Sequence, residues 1–161
     1  MVTKEPALAP ADPELPKHSC AQFLPNLLRR RAQRRGRDGV LRFSWGYNAR
    51  TASDADSTAF AVRALLRAGY PLPAPAGRLL APFVDERGRG NTYRDPTRMG
   101  AWAGAHPDVT PSIGMALWEA DADSGLQERL ARASLEAHDS HGVWAGFWWC
   151  RPYYPTWLNL Q

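Results

Sequence analysis

No stretch of this chain stays apolar for the roughly 18 to 20 residues that a membrane-spanning helix requires. The amino terminus, with Lys4 and Glu5 followed by prolines, lacks the apolar segment of a secretory signal, so the expected compartment is the cytoplasm. Cysteine is scarce. Cys20 and Cys150 form no C-x-x-C or other zinc spacing, which excludes a disulfide framework or zinc ribbon and leaves both expected as free thiols. Strand-type alternation is missing too, except within a few short aromatic tracts, and this argues against a sandwich or barrel.

What is present is a helical pattern. The chain has 161 residues, enough for one domain with a real core, and its seven tryptophans supply much of the apolar bulk. The net charge of +4 comes wholly from arginines 29, 30, 31, 34, 35 and 37, and without them the chain is mildly acidic. Residues 1–20 hold Pro6, Pro10, Pro13 and Pro16 among alanines and charges, and are expected to be a disordered or extended tail. From residue 21 on, apolar residues recur at helical spacing. The first helix is predicted over 21–35. A second has Ala59, Val62, Leu65 and Leu66 on one face and ends at Gly69. A third, around Leu79, Leu80, Phe83 and Val84, is broken by Pro82. The fourth has Thr110 as N-cap and Pro111 in its first position, the fifth spans 125–138, and a sixth begins near Pro155 or Thr156.

Residues 37–47, 86–93 and 140–149 share a layout at intervals of about fifty residues: glycine in a turn, aromatics after it, an amphipathic helix beside it. Such repeats belong to stacked helical units, none of which buries its apolar face alone. The first tract leads into D-A-D-S-T-A, with Asp54 and Asp56 at a helix start. Helix initiation accounts for both acids, Asp54 as N-cap and Asp56 as a first-turn acid favoured by the helix dipole. A functional pocket at the same spot is the competing reading.

D-A-D-S-T-A-F-A-V-R-A-L-L resembles the terpene cyclase and prenyltransferase-like α/α-toroid superfamily, which includes squalene–hopene cyclases and class II diterpene cyclases. Asp54, Asp56, Thr58 and Ala59 match the family's D-x-D-D-T-A, with Ser57 in the place of the last acid. H-D-S-H-G-V-W is similar to the tail of the family's QW repeat, with His138 in the glutamine position and Gly142 and Trp144 matching. The resemblance covers residues 21–161 and implies an all-α fold, a partial α/α toroid of helix-pair repeats with long structured loops. It also implies acid-initiated cyclisation of a polyisoprenoid, an isomerase or lyase activity. Asp56 would be the proton donor and Asp54 its modulator, with Trp45, Tyr47, Trp102, Trp148 and Tyr153 lining the substrate cavity. Since a first-turn position favours carboxylate, burial or a neighbouring acid would have to keep Asp56 protonated.

No cofactor and no metal is expected. His106 with Asp108, and His138 with His141, have ligand-like spacing, but the D-x-C pair of zinc prenyltransferases is absent, and structural or exposed histidine is the expectation. On a helix, Arg30, Arg34 and Arg37 would share one side and Arg31 and Arg35 the next, a basic face suited to a prenyl diphosphate or to peripheral contact with anionic lipid. Nothing else suggests nucleic acid. The implied toroid is about half complete. Its open end, near Trp157, Leu158 and Leu160, is expected to pair with a second copy or with another polypeptide. The alternative function is a non-catalytic helical scaffold that binds a partner on its aromatic face.

Overall fold

The computed structural model describes residues 34–35, 41–42, 44–46, 51–95, 97 and 99–161. Five α-helices are found among them: α1 (Ala55–Arg67), α2 (Ala76–Leu80), α3 (Thr110–Glu119), α4 (Ser124–Glu136) and α5 (Tyr153–Asn159). Two two-residue strands, β1 (Arg34–Arg35) and β2 (Leu41–Arg42), pair antiparallel. The tail over 1–20 and most of the helix expected over 21–35 lie outside the described residues. At its end that expectation is corrected: Arg34 pairs with Arg42 and Arg35 with Leu41, so the basic helical face does not reach them. Gly36 and Gly39 follow in sequence, and glycine lowers the cost of leaving a helix.

α1 begins where Asp54 caps it, its Oδ1 accepting from the Ser57 N–H at 2.7 Å. It ends at Ala68 before Gly69, whose φ of +70° glycine adopts without strain. Ala59, Val62 and Leu65 face inward, packed with Leu79, Leu80, Phe83, Ile113, Leu117 and Leu130 in one core. α3 lies at the centre, packed against both α1 and α4. A tight turn with Asp121 and Asp123 at positive φ folds α4 back along α3, and Asp123 caps α4 by accepting from Leu126 N–H at 3.0 Å.

Pro82 ends α2, and the chain continues as a 3₁₀ turn over Ala81–Phe83 because a proline there cannot continue the α-helical ladder. Thr110 does not act as the N-cap of α3. It opens the helix, and its hydroxyl accepts from Gly90 N–H at 3.0 Å, a contact with a distant loop. Tyr153 starts α5, earlier than expected, since Pro155 still falls in the first turn where no amide hydrogen is needed. Leu158 is buried at 2% exposure within this chain and so is no part of an open apolar face, whereas Trp157 and Leu160 stay 52% and 69% exposed.

Candidate active site

The start of α1 is brought against the start of α3 by a ribbon between them. Residues 84–93 turn at Gly88, pair Val84 with Gly90, and run alongside both neighbours. Asp54 bridges Tyr93 on one side, and Asn91 bridges Ala105 on the other. Ala55 N–H donates to Thr92 O at 2.8 Å, Thr92 N–H to Gly104 O at 3.2 Å, and His106 N–H to Gly90 O at 3.3 Å. Gly90 is required here by close packing: a Cβ would come within 2.9 Å of Ile113 Cδ1 and 3.0 Å of Thr110 Cα. Through this stitching, two acids on α1 and Asp108, just ahead of α3, share one locality.

Each carboxyl is held differently. Asp54, 6% exposed, is tied to the helix cap, its Oδ2 accepting from the Ser57 hydroxyl at 3.0 Å. Asp108 is 2% exposed, and its Oδ2 accepts from Trp148 N–H at 3.1 Å. Asp56 keeps a little surface but is densely surrounded by protein. Burial lifts its carboxyl from 3.8 to about 7; the charges of Asp54 and then Asp108 add to the rise, and a hydrogen bond from Ser112 opposes it. The helix dipole, which favours the anion, is thus outweighed. Tyr154 is raised by burial and then by Asp56 and Asp108, which places its phenol beside the same acids. Burial and the Asp54 charge raise Tyr93 as well.

Aromatic rings gather around this cluster. Trp102 meets Trp148 edge-on at 5.0 Å, and Phe147 stacks on His106 at 4.1 Å. Trp149, Tyr154 and Trp157 form a second run, at 4.6 Å and 6.0 Å between successive rings. Phe60, one turn beyond Asp56, is half exposed. Burial holds His106 below its ordinary value, with Asp108 and an Ala101 backbone contact opposing. No group of three His, Cys, Asp or Glu side chains among the described residues is placed to hold a metal ion.

Of the residues singled out from sequence, Asp54 and Asp56 lie together, and Trp102 and Trp148 touch each other. Trp45 is a core residue, 4% exposed, whose carbonyl accepts from Asp54 N–H at 2.9 Å. Tyr153 is 80% exposed, and Tyr47 lies outside the described residues. Trp144, in the QW-like tract, staples a loop: its Nε1–H donates to Ser134 O at 2.6 Å, and its backbone N–H donates to the Thr156 hydroxyl at 3.2 Å. Sequence reasoning missed Asp108 and Ser112 as neighbours of Asp56. The one available signal was the acid of A-H-P-D-V-T, placed directly before a helix. A separate groove of about 830 Å³, lined by Arg63, Met115, Trp118, Leu130, Leu135 and Leu158 among others, does not include Asp56. Its Arg63 is already engaged by Glu119 at 2.8 Å, so the carboxyl cluster is the better candidate for chemistry.

No helix among the described residues is long and apolar enough to cross a membrane. No family model and no curated protein matches the chain. Solved structures do. The apo type II terpene cyclase MstE from Scytonema is 24% identical with a TM-score of 0.68, and a Tyr-to-Phe variant of it is 26% identical with a TM-score of 0.65. Each match covers 90% of this chain and 42% of the other. The chain therefore has an all-α, terpene cyclase-like fold, part of an α/α toroid, and spans 42% of the length of the structures it resembles.

Proposed function

We propose that the site performs acid-initiated cyclisation of a polyisoprenoid, with Asp56 as the proton donor. The observation that carries the reading is a carboxyl raised to about 7 by burial and by two neighbouring acids, so that it keeps its proton far above the ordinary carboxylate range, beside exposed aromatic rings. An alkene is a very weak base, so only an acid held un-ionised can protonate it. The Asp56 O–H bond would break as the alkene π pair forms a C–H bond, leaving a carbocation on the substrate and a carboxylate on the protein. Ring closure moves the cation along the chain, and loss of a proton from carbon ends the sequence. Aromatic faces such as Trp148 and Phe60 would stabilise the cation through their quadrupoles. The fold similarity supports the same reading, although MstE's activity belongs to a longer chain. We place the rest of the enclosure on further helices.

The test is incubation with squalene and with prenyl diphosphates, with cyclised products read by mass spectrometry. Asp56→Asn should lower the rate by about 10² to 10⁴, the usual worth of a general acid. The wild-type rate should fall as pH rises through about 7, where Asp56 ionises. Parental turnover by the variant would remove Asp56 from the mechanism. Trp118 and Leu135, 73% and 65% exposed, favour a second reading, the partner-binding scaffold. Absence of any cyclised product from the wild type would favour it.

A further inference from the structure

Asp108 is placed unlike an ordinary helix-start acid. Its Oδ2 receives the Trp148 N–H, and the backbone of Gly146 is pressed against it so closely that a Cβ there would lie 2.9 Å from Oδ2 and 2.6 Å from Pro155 Cγ. The loop around Gly146 is therefore folded onto this carboxyl. It carries Phe147 and Trp148, the rings that meet His106 and Trp102. The other oxygen, Oδ1, is buried with no hydrogen-bond partner. A buried carboxylate oxygen left unmatched is costly, so its retention calls for a compensating role. Asp54 has both oxygens committed to the Ser57 cap, whereas Asp108 has one to spare.

We propose that Asp108 is a positioning residue for the Asp56 acid, its buried carboxyl anchoring the aromatic loop over the same spot. This rests on the reading of Asp56 as the proton donor. The groups that act on Asp56 or share its surroundings are Asp54 at the start of α1, Asp108 ahead of α3, Ser112 on α3 and Tyr154 on α5; Tyr93 on the ribbon lies beside Asp54, and His106 beside Asp108. Arg63, tied to Glu119, opposes the acids at Tyr154. A loop shift that drew Asp108 away would loosen the aromatic wall and remove one of the influences that raise Asp56, so wall and acid are assembled together.

The experiment is a carbon-13 titration of assigned aspartate carboxyls in the full chain, which needs no turnover. In Asp108→Asn, which keeps the shape and can still accept from Trp148 N–H, the Asp56 midpoint should fall below the wild-type value. The alkaline limb of any cyclisation activity should move down with it, and Asp108→Glu should restore both. In the wild type the Asp108 carbon resonance should itself shift as Asp56 titrates, which covers the case of a variant that fails to fold. An unchanged Asp56 midpoint in folded Asp108→Asn, or a wild-type Asp108 signal that ignores the Asp56 titration, would overturn the proposal. Coupled titration without any cyclised product would sink the cyclase reading and leave this one standing.

Discussion

Neutralising Asp56 by Asp56→Asn has a consequence for folding that is independent of catalysis. In the folded chain this carboxyl titrates at about 7, against an ordinary 3.8. A raised carboxyl binds its proton more tightly folded than unfolded. Its stabilising contribution is therefore complete below 3.8 and is lost as pH climbs to about 7, where the folded site ionises at a cost. At about 1.4 kcal/mol for each pH unit, that gap is worth about 4 kcal/mol as an upper figure, because part of the side chain meets solvent. Domains of this kind are stable by only about 5 to 15 kcal/mol in total. Urea unfolding of both proteins at a series of pH values from 4 to 9 should give a difference curve, variant minus wild type, that rises with pH and flattens above about 8. Asparagine keeps the size and polarity at this first-turn position, so the curve isolates the charge. Parallel profiles for the two proteins would mean that Asp56 is solvated and that the electrostatic argument fails.

The remaining predictions concern what holds the site in place. Thr58 is fully buried, its hydroxyl donating to Asp54 O at 2.7 Å and accepting from Trp45 N–H at 3.1 Å, so Thr58→Val should cost about 1 to 3 kcal/mol in thermal or urea unfolding, with Thr58→Ser retaining most of it. Burial alone would raise Glu119, but hydrogen bonds from Arg63 and Arg67 hold it below its ordinary 4.5; stability from this pair is present above 4.5 and lost as pH falls. Glu119→Gln should cost about 1 to 3 kcal/mol at pH 7 and less at pH 3, a convergence that acid unfolding curves would detect.

Helices α1, α3 and α4 were legible in the sequence because each has an apolar stripe, Leu126 and Leu130 in α4, and the first two also have a terminal signal, Asp54 and Gly69 for α1 and Pro111 for α3. Asp54 was legible as a cap for the same local reason. What could not be read was whatever depends on distant backbone. Arg34 and Arg35 have good helix propensity, but their pairing with Leu41 and Arg42 overrides it. Thr110 has the chemistry of a cap, yet the nearness of Gly90 gives its hydroxyl another partner. Asp108 carried no mark of its nearness to Asp56, because the packing of α3 on α1 and the ribbon over 84–93 bring them together only in the folded chain. Asp56 itself was a weak candidate from sequence, since local rules favour its ionisation and only the tertiary surroundings reverse them.

That ribbon bears on the order in which the chain folds. α3 and α4 contact each other across one tight turn, so their pairing closes little chain and can come early. The carboxyl cluster, by contrast, needs segments near residues 45, 54, 92 and 105 to be laid side by side, each closure spending the entropy of a longer loop. Until the last of these closes, Asp54, Asp56 and Asp108 are separate, hydrated acids that repel weakly. The electrostatic strain of the site is then borne only by the finished fold, and faster unfolding at alkaline pH, with little change in the folding rate, would be its kinetic trace.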